Sequence, residues 1–309
     1  MSTHDTGGEA AGPELPPVLQ RLWDPATRPR RGPKPALSLA RITQAALEIA
    51  DAEGLAAVSM GRVGESLGYT GMALYRYVGS KDEMLVLMAD AAGKMPPGLV
   101  PDPRAEAVDW RTGLEQWTRA QIELIVARPW YLELPLTTVL PGPNRVMWLE
   151  RGFELLQPTG LSTEEKFAVL GMLAEHVLGE ARVQVETHRA SLAGARRAAG
   201  LPEDATEDQL DPDAIAAADP YAGLEEMLAL FVDPQRHPAL HRAVHEERTT
   251  EHDPRLDDIG FAISVVLDGV ETFVEHRRAE RARRARSVTA PSPQRLPRGK
   301  TQADQGHID

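Results

Sequence analysis

The chain has no cysteine, which excludes a disulfide framework and any cysteine-ligated metal site. Aromatic residues make up only 5% of it, so its core must be built mostly from aliphatic side chains and alanine. Long hydrophobic runs are absent. The longest near the C-terminal end, Phe261 to Leu267, falls far short of the roughly 20 residues that span a bilayer. No basic start followed by an apolar segment opens the chain, so no secretory leader and no membrane partner are expected, and a cytoplasmic protein is. An ordered catalytic motif is missing too, and with it any reason to expect an enzyme or a cofactor.

The 309 residues suffice for two domains. Net charge is −12, but it is unevenly spread. Residues 28–81 hold eight basic and four acidic side chains, and residues 277–309 hold nine basic and three acidic ones. The intervening stretch is strongly acidic. A basic module on an acidic body suits a protein that meets phosphate with one face only, because the acidic body disfavours non-specific wrapping.

The organising stretch is Ser59 to Lys81, SMGRVGESLGYTGMALYRYVGSK. Val63 and Leu67 are four apart and share a helix face. Ser59 is placed to cap that helix and Gly68 to end it in the left-handed conformation. A second short helix is predicted from Gly71 to about Tyr77. Leu74 and Val78 pack back on the first, leaving Met72, Ala73, Arg76 and Tyr77 outward. Ser80 and Glu83 form a capping-box signal for the next helix, from Lys81 to about Gly93. Upstream, Ser38 caps a helix from Leu39 to Glu53 whose buried stripe is Ile42, Ala46, Ile49 and Ala50, with Gly54 as its stop. Two helices joined by a tight turn, the second with an exposed polar face, form a helix-turn-helix that would enter a major groove.

The order Leu67-Gly68, Leu74-Tyr75, Tyr77-Val78, then Lys81 before Met84-Leu85, resembles the DNA-binding region of the tetracycline-repressor (TetR) family of bacterial regulators. The likeness implies an all-α fold, with an N-terminal three-helix helix-turn-helix domain and a C-terminal helical ligand-binding and dimerisation domain. It also implies that Tyr75, Tyr77 and Lys81 meet phosphates, with Ser59 and Thr70 as secondary contacts. Independently, Arg76 is the natural base-reading side chain, since a guanidinium pairs bidentately with guanine. The Thr70 and Gly71 backbone N–H groups open the second helix, a natural place for phosphate. Arg31 and Lys34 belong to a Pro-interrupted basic arm that could follow the DNA backbone.

Four regions are expected: a disordered basic arm over 1–36, the helix-turn-helix domain over 37–80, the effector-binding and dimerisation domain over 81–286, and a disordered tail over 287–309. Within the third, helices are predicted over 110–127, 143–156, 163–195, 224–232, 237–247 and 257–284, with a mobile acidic loop over 196–222. Ser162 and Glu165 give a second capping box. In the resembled family two such long C-terminal helices pair across a homodimer. Here Gly179 and Gly269 would permit close helix approach.

Trp117, Trp130, Met147, Trp148 and Met172 are candidates to line an apolar effector pocket, and His176 and Arg182 are its candidate polar groups. Ordinary core packing explains each tryptophan and methionine better when taken alone, and a satisfied buried imidazole is the commoner explanation of His176. His241 and His245 lie four apart, with His237 and His252 near. A solvated charged face explains them better than a zinc site. The resulting expectation is a homodimeric regulator on double-stranded operator DNA, a repressor released by a small apolar effector. A ligand-independent activator or architectural protein, and a helical metal-dependent enzyme, are the alternatives.

Overall fold

The computed structural model describes residues 15–24, 37–105, 107–245 and 259–289. Arg31, Lys34, His252 and the tail beyond 289 lie outside them. The described elements are all helical. In chain order they are α1 (Pro17–Trp23), α2 (Leu39–Glu53), α3 (Met60–Leu67), α4 (Gly71–Leu74), α5 (Lys81–Ala92), α6 (Trp110–Val126), α7 (Pro143–Leu155), α8 (Thr163–Ala199), α9 (Pro212–Ala217), α10 (Leu224–Phe231), α11 (Pro238–His245) and α12 (Ile259–Thr289). No described helix is long and apolar enough to cross a membrane.

Local chemistry accounts for the helix ends. Ser38, Ser59, Ser80 and Ser162 each accept from a backbone N–H inside the helix that follows, removing one of the orphan donors of a first turn. Glu165 completes a reciprocal box with Ser162. Glu83 does not do so with Ser80: its carboxylate accepts instead from the Gly79 N–H at 2.8 Å. Gly68 ends α3 at φ 77°, the left-handed region where a side chain would be strained.

Two apolar cores result. The first joins α2, α3, α4 and α5, with Ile42, Val63, Leu74, Met84 and Met88 fully buried. A division between residues 80 and 81 would cut through it, because α5 is buried along most of its length. The second joins α6, α7, α8 and α12 around Leu114, Ile122, Leu155, Leu173, Ile263 and Leu267. Arg111 ties α6 to α12 through Asp268 and Glu271, and Glu165 at the start of α8 holds Arg277 and Arg281 of α12.

Two stretches expected to lack structure have it. Residues 17–23 form α1, whose Val18 and Leu19 are buried. So short a helix presents too few apolar residues to show a period, so its burial is set by what it packs against. The acidic segment after residue 196 continues α8 to Ala199 and then folds back through α9. A Cβ on Gly194 would stand 2.8 Å from the Ala218 Cβ, so this return is in close contact with α8.

The helix-turn-helix crossing depends on two glycines. A Cβ on Gly64 would lie 2.9 Å from both the Gly71 nitrogen and the Tyr69 carbonyl oxygen, and one on Gly71 would lie 3.1 Å from Met60 and Gly61 backbone atoms. Those neighbours are backbone and cannot swing aside. Gly64→Ala should therefore destabilise this unit by ~1–3 kcal/mol through overpacking. A thermal melt of the full chain checks this, and an unchanged melt would mean that α3 and α4 separate at no cost.

Candidate nucleic-acid interface and effector cavity

The recognition element is shorter than its sequence pattern predicts. α4 closes after Leu74, and Tyr75, Arg76 and Tyr77 continue as turns. Leu74 and Val78 are fully buried, and between them Tyr75 and Arg76 are exposed, away from the core. Met72 is 76% exposed and Tyr75 47%. Ser59, Thr70, Arg76 and Lys81 are also exposed, and Gly71 and Ala73 half-buried. Arg76 makes no hydrogen bond or ion pair to any described residue, so its five donors are available to a ligand. Arg62 is less available, since it pairs with Glu53 at 2.6 Å. Tyr77 departs from expectation: its side chain is half-buried against the first core rather than turned fully outward. Val78 and Met84 anchor the chain just beyond it, which draws the ring inward.

Between the two cores lies a cavity of about 430 Å³. Its walls come from the last turn of α5 (Ala89, Asp90, Ala92, Gly93), from α6 (Trp117, Gln121, Leu124, Ile125), from the segment Tyr131–Leu140, from α7 (Arg145, Trp148, Leu149) and from α8 (Leu170, Ala174, Val177, Arg182). Of the candidates, Trp117, Trp148 and Arg182 line it. Trp130 does not: it is 3% exposed in the first core, and its indole N–H donates to Asp51 at 2.7 Å. Met147 and Met172 are exposed on the outer faces of α7 and α8. His176 is not among the lining residues, and its buried Nε2 has no hydrogen-bond partner among the described residues. Composition could not separate these cases, because core, cavity and surface positions of one helix differ by a rotation and not by residue type.

A polar group at the cavity wall belongs to no sequence motif. Asp90, on α5, is buried and accepts from the Asn144 N–H at 3.0 Å, the Asn144 side-chain amide at 2.9 Å and the Arg145 N–H at 3.2 Å. It thereby caps α7 from another helix, where Gly142 has no side chain to do so. A Cβ on Gly142 would collide with the Asp90 carboxylate, so glycine is required for this approach. Burial still pushes the Asp90 carboxyl above its ordinary pKa despite the three donors. Burial likewise raises the Tyr131 phenol, against the opposing influence of the nearby Arg145 guanidinium. Nearby, the Trp148 indole N–H donates to the Gly93 carbonyl at 2.6 Å, and the Trp117 indole N–H to the Trp148 carbonyl at 3.0 Å. A further tie runs from α2 to the end of α6, where Arg128 meets Asp51 at 3.2 Å.

His241 and His245 stack with centroids 4.1 Å apart, and the His237 Nδ1 accepts from the Asp233 N–H. Among the described residues no three potential ligand side chains gather as a metal site would require.

Comparison with known proteins agrees with this geometry. Residues 42–88 match the family model described as bacterial regulatory proteins, tetR family. Residues 102–274 match the tetracyclin repressor-like C-terminal domain. The chain is 35% identical over 288 residues to the HTH-type transcriptional repressor DrrR1 of Streptomyces coeruleorubidus, an alignment that covers 91% of this chain and 97% of that one. It is 27% identical over 190 residues to an HTH-type transcriptional regulator of Saccharopolyspora erythraea, covering 62% and 78%. Among solved structures, apo ActR from Streptomyces coelicolor aligns with TM-score 0.57 at 22% identity, over 79% of this chain and 100% of that one. ActR in complex with actinorhodin aligns with TM-score 0.55 at 23% identity, over 79% and 99%. At these identities the two structures speak for the fold alone.

Arg76→Ala should relax selectivity at one base pair of a bound duplex and weaken binding by ~1–3 kcal/mol. Competition between single-position variants of that duplex reads this out. Uniform weakening across all variants would make Arg76 a phosphate contact instead.

Proposed function

This chain belongs to the tetR family of bacterial regulatory proteins, and on that premise we propose a cytoplasmic, homodimeric repressor that a small, largely apolar effector releases from a palindromic operator. Its work is binding, not turnover. Arg76 reads a base in the major groove, Met72 and Ala73 lie against the groove floor, and Tyr75 and Lys81 hold phosphates, with Ser59, Thr70 and Gly71 at the margin. The basic residues Arg31 and Lys34 add phosphate attraction.

One observation carries the effector reading. α5 forms the base of the reading head and, through Ala89, Asp90, Ala92 and Gly93, a wall of the cavity. A molecule in the cavity therefore touches the element that sets where the head sits. It must favour the DNA-incompetent arrangement, because a ligand with equal affinity for both arrangements shifts nothing. The lining combines tryptophans and aliphatic side chains with a few polar groups, the pattern of a small-molecule site. A ligand-independent activator would have no use for such a space. The dimer reading is supported by α8 and α12, which expose Phe167, Met172, Val183, Phe261, Val265 and Phe273. A Cβ placed on Gly179 or Gly269, on the same helices, would meet nothing within 4 Å, leaving room for a close partner helix.

The test is a screen of small, largely apolar compounds, with actinorhodin as a more polar comparison, for release of the protein from a selected duplex. Active compounds should quench Trp117 and Trp148 fluorescence over the same concentration range. Ala174→Phe should fill the cavity and abolish release while leaving duplex binding intact. Release that persists in this variant would place the effector elsewhere.

A further inference from the structure

α1 precedes the segments that the family models cover, yet it is built into the reading head. Val18 and Leu19 are each 5% exposed, and Leu22 packs against the same core as α2 to α5. At its far end the Trp23 indole N–H donates to the Pro141 carbonyl at 3.0 Å, next to the segment that walls the cavity. The helix is thus held along one face and at its C-terminal end.

From this base Arg21 reaches the recognition element. Its Nη1 donates to the Tyr77 carbonyl at 2.9 Å, and its Nη2 stands 3.1 Å from Glu83 Oε2 and 3.3 Å from Glu83 Oε1. Glu83 in turn accepts from the Gly79 N–H at 2.8 Å. Arg21, Glu83 and Gly79 therefore bracket residues 77–80, the link between the recognition turn and α5. Four-residue α4 holds its trailing backbone through two bonds, from the Tyr77 and Val78 N–H groups to the Leu74 carbonyl at 2.8 and 3.0 Å, and the Tyr77 carbonyl takes part in neither. The Tyr77 carbonyl lies one residue beyond Arg76. A guanidinium suits the task because its planar fork can serve two acceptors at once, which an ammonium point charge does less well.

We infer that α1 is part of the reading head and that Arg21 is a positioning residue for operator recognition, holding the backbone behind Arg76 in register with the groove. This role rests on the regulator reading. It differs from a phosphate-contact role for Arg21, because the guanidinium is already occupied by protein acceptors.

The experiment uses the full chain and two duplexes of equal length, a selected operator and its scrambled version, titrated by fluorescence anisotropy. Arg21→Ala should lower the operator-to-scramble affinity ratio about tenfold, equivalent to ~1.4 kcal/mol. Affinity for the scramble should change less than about twofold, since phosphate attraction is untouched. Arg21→Lys, which keeps the charge and the stem, should fall between wild type and Arg21→Ala. An unchanged ratio in Arg21→Ala overturns the inference, as does equal loss on both duplexes. If Arg21→Ala does not fold, Arg21→Lys decides: a ratio below wild type supports the role and an equal ratio overturns it. A wild-type protein with no preference between duplexes would remove the regulator reading itself, a separate and recognisable failure.

Discussion

The junction between α5 and α7 depends on one buried carboxylate. Asp90 leaves the reading head, crosses beneath Gly142 and caps α7 through two backbone N–H groups and the Asn144 amide. Taking a carboxylate out of water is unfavourable unless donors replace the lost hydration. Here the donors belong to a different helix, so the two helices are committed to each other. Trp148 adds a second tie three residues further along, at the Gly93 carbonyl that closes α5. The cavity sits against this junction, and the proposed effector would act there on how the head is held.

The architecture divides its labour around α5. One face completes the core under α2 and α3, its start receives the recognition turn through Ser80, and its end walls the cavity. Such an element need not deform to transmit a signal. In the proposed release, a small change in its tilt would move the head as a unit, because packed interiors resist gradual deformation and pass strain on. Asp51, paired with Arg128 and bonded by Trp130, provides a second route from α2 to the end of α6. α1 closes the frame on the remaining side.

Much of this was legible in the residues, for a reason that also explains what was not. Caps and stops are local: Ser38, Ser59, Ser80, Ser162, Gly54 and Gly68 each announce a helix end by chemistry within four residues, and each stands where expected. Burial of Val63, Leu74 and Val78 follows from spacing alone. The cavity is a property of packing between distant segments. Trp130 and Trp148 are chemically alike, yet one fills the first core and the other lines the cavity. Met147 and Met172 face outward although their helices supply Trp148 and Ala174 to the cavity. Asp90 lay within an apolar helix in MADAAG, and an acid in such a place is a signal that burial will need partners. α1 gave none, since its seven residues gain their order from the head they rest on.

In the proposed function two copies of the head read one two-fold symmetric site. Selecting bound duplexes from a random pool with the purified full-length protein tests it most directly. The expected result is an enriched palindrome whose half-site centres are fixed at about 34–36 Å, or a multiple of it, so that both recognition turns meet successive major grooves on one side of the duplex. Enrichment of an unsymmetric site without a second half, or no enrichment at moderate salt, would contradict it.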